Sequence, residues 1–129
     1  MQGYIEMDGR LWAVLPENQF THEDITQSLY AIRPGAQWSL IGNTQLRWDD
    51  GSQAMPTAQE LFDGIELGHM NVIRERRNEL LSASDWTQYP DAPLTVQQKA
   101  DWATYRQVLR DLPQTYQTAA EVVWPTKPE

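Results

Sequence analysis

Three threonines mark the predicted starts of helices, and they constrain the fold of this chain more than any other feature. Thr57 and Thr95 begin the capping-box patterns TAQE and TVQQ, in which two side chains satisfy free backbone N–H groups of the first helical turn. Thr21 is a third N-cap, and the flanking Phe20 and Ile25 occupy the two positions of a hydrophobic staple. The sequence therefore predicts three helices.

The apolar spacing after each threonine predicts how far each helix runs. The first is expected to end before Pro34, because proline disfavours helical geometry at the preceding residue. The second is predicted to be the longest, from Thr57 to about Ala83. The third is expected to stop at Pro113, so that the last two helices form an antiparallel hairpin from about Thr57 to Leu112.

Two glycines, Gly64 and Gly68, lie one turn apart inside the predicted long helix. Each costs about 1 kcal/mol relative to alanine in a helix interior. They either permit the close approach of another backbone or mark a weak turn. The sequence leaves both interpretations open.

Two β-hairpins are predicted around the first helix. The pair Asp8-Gly9 is typical of a two-residue type I′ turn. The second turn spans residues 42–44, and the strands on either side show the alternation of a half-buried hairpin. Its alternating apolar residues are Trp38, Leu40, Leu46 and Trp48.

The predicted fold class is α+β. A small hairpin–helix–hairpin module is expected over residues 1–56, a helical hairpin over 57–113 and an extended tail over 114–129.

Composition excludes several classes of function. The chain has 129 residues, a formal charge of −8, no cysteine and 2 histidines, which argues against disulfides, zinc centres and nucleic-acid binding. Apolar runs long enough to span a membrane are absent, and residues 1–10 do not have the pattern of a signal peptide. We expect a cytosolic protein with no cofactor, no metal and no membrane or nucleic-acid partner.

The charge is unevenly distributed along the chain. Residues 1–69 carry 10 acidic and 3 basic side chains, whereas residues 70–129 carry 8 and 7. The two parts therefore present different surfaces to a partner.

Catalytic patterns are also missing. Neither His22 nor His69 has the spacing of a metal or nucleophile motif, and the pair Asp49-Asp50 precedes glycine as in an ordinary turn. The arginines at 74, 76 and 77 alternate with glutamates, which favours a solvated helix face. No catalytic residue is predicted.

Six tryptophans are more aromatic anchors than the short predicted elements are expected to hide. This favours a binding module over an enzyme. We expect Trp86 to pack between the two long helices, with Asp85 or Thr87 bonding nearby backbone groups.

The C-terminal tail has one apolar cluster, Val122-Val123-Trp124-Pro125. Pro125 and Pro128 predict an extended segment. Trp124 is then either an anchor for a partner or a cap over an apolar groove of its own domain. Both alternatives remain open.

Two sets of motifs suggest a family. Three runs, RPGAQWSL (33–40), LRWD (46–49) and PTAQEL (56–61), resemble the N-terminal module of small phage tail fibre assembly proteins, and with the C-terminal motifs the resemblance covers about residues 27–129. The C-terminal part resembles the phage tail assembly chaperone family in RxxRNxLL (74–81), SDWTQ (84–88), DAP (91–93), WxxYRxxLRD (102–111) and WPxxP (124–128).

The resemblance implies a non-enzymatic protein that helps a phage tail fibre protein fold, trimerise or attach in the host cytoplasm, with baseplate proteins as further partners. The alternatives are a structural subunit retained in the virion tail fibre or baseplate, and a fibre-tip lectin. The predicted protein-binding residues are Trp86, Trp102, Tyr105, Arg106, Val123, Trp124 and Pro125.

Overall fold

The computed structural model describes residues 4–7 and 9–129. The chain divides into two compact units, Met1–His69 and Met70–Glu129. This boundary coincides with the change in charge along the sequence. The mixture of a four-stranded antiparallel sheet with helices confirms the predicted α+β class.

The N-terminal unit contains the sheet and the first helices. Strand order is β1-β2-β4-β3, and every neighbouring pair is antiparallel. The elements are β1 (Tyr4–Met7), β2 (Arg10–Val14), α1 (His22–Ile32), β3 (Trp38–Ile41), β4 (Gln45–Trp48) and α2 (Ala58–Asp63).

Both predicted hairpins are confirmed, and the pairing of β2 with β4 joins them into one sheet. Gly9 has a φ of +74°, as a tight hairpin turn requires. Asp8, the other residue of the predicted turn, lies outside the described residues.

One face of the sheet forms the core of this unit. Register places Trp48 beside both Leu11 and Trp38, and Leu46 beside both Ala13 and Leu40. Helix α1 covers this face. The buried cluster consists of Ala13, Leu15, Ile25, Leu29, Leu46, Trp48, Met55 and Leu61.

Helix α1 begins at its predicted cap. The Thr21 hydroxyl accepts the Asp24 N–H at 3.0 Å, and the Asp24 carboxylate accepts the Thr21 N–H at 3.0 Å. This reciprocal pair is a full capping box, with aspartate in the place that glutamate or glutamine usually takes. Both other predicted capping boxes are present as well.

The prediction of one long helix from Thr57 to about Ala83 is wrong. Helix α2 ends at Asp63, and α3 (Ile65–Ser84) begins after Gly64. The Ser28 hydroxyl of α1 donates to the Leu61 carbonyl at 2.6 Å. A side chain that takes up a helix carbonyl interrupts the ladder of backbone bonds.

Gly64 and Gly68 are sites of close approach. A Cβ on Gly68 would lie 2.6 Å from the backbone carbon of Gln27, and one on Gly64 would lie 2.6 Å from Ser28 Oγ. Close approach of the α1 backbone is therefore the correct interpretation for Gly68, whereas Gly64 meets α1 side chains and lies at the break between α2 and α3.

The C-terminal unit is a helix pair followed by a tail. It contains the larger part of α3, a 3-10 turn at Asp85–Gln88, α4 (Val96–Thr115) and a second 3-10 turn at Ala119–Glu121. Arg106 bonds the carbonyl of Leu81, and Arg77 bonds that of Arg110. Residue 106 of α4 thus lies beside residue 81 of α3, and residue 110 lies beside residue 77. The numbering rises along one helix as it falls along the other, so the predicted antiparallel pairing is confirmed.

Helix α4 does not stop at Pro113 as predicted, but continues to Thr115. Pro113 has no N–H, so the backbone hydrogen bond to the Leu109 carbonyl is missing. Near the end of a helix the loss is confined to this one hydrogen bond, and the last residues still continue the helix. Burial of Leu112 and the bond from Thr115 Oγ1 to the Asp111 carbonyl support the last turn. None of the helices in the described ranges has the length and hydropathy of a transmembrane span.

Candidate protein-binding groove

The C-terminal unit contains an open groove with a volume of about 110 Å³. Helix α3, the first 3-10 turn, α4 and the tail each contribute to its lining. The lining residues are Leu80, Ala83, Ser84, Trp86, Trp102, Tyr105 and Lys127.

Three aromatic side chains shape the groove. Trp102 and Tyr105 meet edge to face, with ring centroids 5.6 Å apart, and Trp86 lies 6.4 Å from Trp102. Trp102 and Tyr105 are each only 7% exposed and belong to the core cluster with Leu109 and Leu112. Trp102 and Tyr105 therefore form the buried base of the groove, whereas the Trp86 side chain beside them is more exposed.

The prediction that Trp86 packs between the long helices is wrong, because its side chain is 44% exposed. Its neighbour Thr87 takes the buried position and donates its hydroxyl to the Ser84 carbonyl at 2.6 Å. The predicted backbone bond from Thr87 is therefore confirmed. Adjacent residues of the 3-10 turn point in different directions, so burial of Thr87 leaves Trp86 facing outward.

Arg106 holds the 3-10 turn against the helices. It donates to the Leu81 carbonyl at 2.6 Å, to Ser84 Oγ at 2.7 Å and to Asp85 Oδ1 at 2.7 Å. Its side chain is 9% exposed, and its Nε lacks a partner among the described residues. A buried guanidinium with charged and neutral acceptors fixes the segment that carries Trp86.

The tail lies along its own unit. Val122 packs against the core cluster, and the Tyr116 hydroxyl donates to the Val123 carbonyl at 3.4 Å. The Lys127 ammonium lies 5.8 Å from the centroid of the Trp102 ring. The tail therefore lies on its own unit with Lys127 at the groove, whereas Trp124 is 38% exposed and is not among the lining residues, so its role as a partner anchor stays a prediction.

The remaining predicted binding residues of the tail differ in accessibility. Val123 is 69% exposed and Trp124 is 38% exposed, whereas Pro125 is partly buried. The seven predicted residues thus divide into a buried set on α4 and a more accessible set on the 3-10 turn and tail. Sequence reasoning missed Lys127, which has no apolar or aromatic signal of its own.

The N-terminal unit has a second apolar surface on the face of its sheet opposite the core. Met7, Val14 and Ile41 are each more than half exposed. The Arg47 guanidinium lies 5.9 Å from the Trp12 ring centroid and forms an ion pair with Asp49 at 3.1 Å. This face therefore combines aliphatic surface with one paired cation.

Carboxylates and histidines in the described ranges do not form a cluster of three or more with metal-binding geometry. His69 instead pairs singly with Asp24, at 2.8 Å. Hydrogen bonds from the Thr21 backbone, followed by His69, lower the pKa of Asp24. The groove itself offers apolar and aromatic contacts and one cation.

Comparison with known protein families gives a match that covers the whole groove. Residues 70–129 match the family described as phage tail assembly chaperone protein. The resemblance found in the C-terminal motifs is confirmed, and the C-terminal unit is similar to proteins that act in phage tail assembly. The runs at 33–40, 46–49 and 56–61 that resemble fibre assembly proteins lie outside this match, and that resemblance stays a prediction. No curated protein and no solved structure matches the chain.

Proposed function

We propose that this protein binds a phage tail fibre protein through the aromatic groove and aids its folding, trimerisation or attachment, without catalysing a reaction. The observation that carries the proposal is the family match of residues 70–129 over a unit whose groove leaves Trp86 44% exposed. A large aromatic side chain beside an apolar depression is a common anchor of protein interfaces.

The physical need for such a groove comes from the fibre. Unassembled fibre chains expose apolar surface and unpaired strand edges, both of which promote aggregation. The groove volume of about 110 Å³ is smaller than the roughly 150 Å³ of a cavity that holds benzene, so it has room for one side chain of a partner. A chain with a charge of −8 stays soluble while it covers that surface.

The predicted binding residues divide into two roles under this proposal. Trp86, Val123 and Trp124 contact the partner because they are accessible. Trp102, Tyr105 and Arg106 shape the groove from beneath, and Pro125 keeps the tail extended. Assembly takes place in the host cytoplasm, with baseplate proteins as a second group of partners.

The proposal is tested by producing the neighbouring fibre gene product with and without this chain. We expect soluble, trimeric fibre to increase several-fold when the chain is present. The Trp86→Ala variant should lose most of this increase, whereas Val96→Ala, at a position 88% exposed but outside the groove, should retain it. Equal fibre yield with and without the chain would contradict the proposal.

A further inference from the structure

We infer that the groove is a binding site for a basic side chain, and that Lys127 occupies it in place of a lysine or arginine of the fibre partner. The tail then acts as a built-in competitor that the partner displaces. This inference rests on the proposed function and deepens it by stating the chemistry of the partner segment.

The first observation is the position of the lysine. Its ammonium lies 5.8 Å from the Trp102 ring centroid, within the distance at which the negative face of an aromatic ring attracts a cation. Trp86 and Tyr105 stand beside the same ring. The face of a tryptophan ring is the aromatic surface that attracts a lysine ammonium most strongly.

The second observation is how few contacts hold the tail. After Glu121 the tail contains no helix or strand, and its hydrogen bonds include a 3.3 Å backbone bond from Val122 to the Ala119 carbonyl and the 3.4 Å bond to the Val123 carbonyl. Val122, Pro125 and Pro128 are partly buried, and Lys127 adds its ring contact. A single cation–ring contact contributes only a modest free energy, even over a buried ring such as Trp102. A partner segment is therefore able to replace Lys127 without unfolding the unit.

The third observation is charge. Residues 70–129 carry 8 acidic and 7 basic side chains, so the unit is nearly neutral, and displacement of Lys127 removes a cation from the face of the ring. The vacated ring face favours a positively charged occupant over a neutral or acidic one. An extended basic segment of the fibre meets these requirements, since it matches what the tail itself presents.

The tail contact is measurable because the chain has only two lysines, Lys99 and Lys127. After reductive methylation with a carbon-13 label, the Lys127 methyl signal should be shifted upfield by the Trp102 ring current. Lys99 serves as the internal control, since its ammonium bonds the Pro90 carbonyl at 3.2 Å instead. A Lys127 signal at the position of a free lysine would overturn the inference.

The specificity for a cation is tested with two probes, a synthetic peptide of residues 122–129 and the same peptide with alanine in place of its lysine. The lysine peptide should move the Lys127 signal towards the free position at a roughly two- to fivefold lower concentration than the alanine peptide. Equal potency of the two peptides would overturn the proposed cation site. Because this assay contains no fibre, its result is independent of the proposed function.

Competition is tested with the full chain and the fibre protein. Lys127→Ala should bind the fibre roughly two- to fivefold more tightly than the wild type, and Lys127→Arg should equal the wild type. Unchanged or weaker binding of Lys127→Ala would overturn the competitor role. Absence of fibre binding by every variant would instead contradict the proposed function.

Discussion

Trp86 and Trp102 are in ring contact but differ in what they contribute to stability. Trp102 is 7% exposed and lies in the core cluster, so Trp102→Ala should lower the free energy of unfolding by about 3 to 5 kcal/mol. Trp86 is 44% exposed, and Trp86→Ala should cost about 1 kcal/mol or less. Urea unfolding of both variants measures the difference. Equal losses would show that Trp86 is a core residue after all.

Gly68 is the glycine with the least space around it. An alanine there would place its Cβ 2.6 Å from the Gln27 backbone, so Gly68→Ala should lower the free energy of unfolding by about 1 to 3 kcal/mol. Gly51→Ala is the matched control, since a Cβ at Gly51 meets nothing within 4 Å. If thermal denaturation finds the two variants equally stable, the close approach of α1 does not exist.

At the scale of elements, Asp50 connects the two ends of the β3–β4 hairpin that lie opposite its turn. Its carboxylate accepts hydrogen bonds from Ser52, Gln53 and the Gln37 N–H, which lower its pKa to about 2. A depressed pKa in the folded state means that the stabilisation is complete above the ordinary value of 3.8 and is lost as pH falls through about 2.

Asp50→Asn should therefore flatten the pH dependence of stability at the acid end. Between pH 4 and pH 2 the wild type should lose more unfolding free energy than the variant, as followed by urea unfolding at each pH. The pH dependence of stability that remains in the variant comes from other groups such as Glu60, whose pKa is lowered mainly by its hydrogen bond with Arg33. If the free energy of unfolding depends on pH equally in the two proteins, Asp50 does not cause the loss of stability in acid.

Helix starts were predictable from the sequence because a capping box is local: Thr21, Thr57 and Thr95 bond groups only three residues away. The break at Gly64 was not, because it depends on a hydrogen bond from Ser28 to Leu61, 33 residues along the chain. The outward direction of Trp86 follows from the buried Arg106 and Thr87 beneath it. Three of the residues that line the groove, Trp86, Trp102 and Tyr105, were among those predicted from the sequence, whereas Lys127 and the division into a buried base and an exposed wall required the tertiary structure.

At the scale of the whole molecule, the C-terminal unit coincides with the region of nearly balanced charge and with the family match. The N-terminal unit carries most of the negative charge, through 10 acidic and 3 basic residues. Under the proposed function the C-terminal unit supplies the groove for a fibre protein, and the preference for a basic partner segment comes from the aromatic face that Lys127 covers.

The most direct test of this account is the affinity of the full chain for the neighbouring fibre gene product, measured for the wild type, Trp86→Ala and Val96→Ala. Removal of an accessible aromatic anchor should weaken binding at least tenfold, as is typical of interface hot spots. Val96→Ala should leave the affinity unchanged, since Val96 is exposed but does not line the groove. Wild-type affinity in Trp86→Ala, with the protein folded, would contradict the claim that the groove is the fibre-binding site.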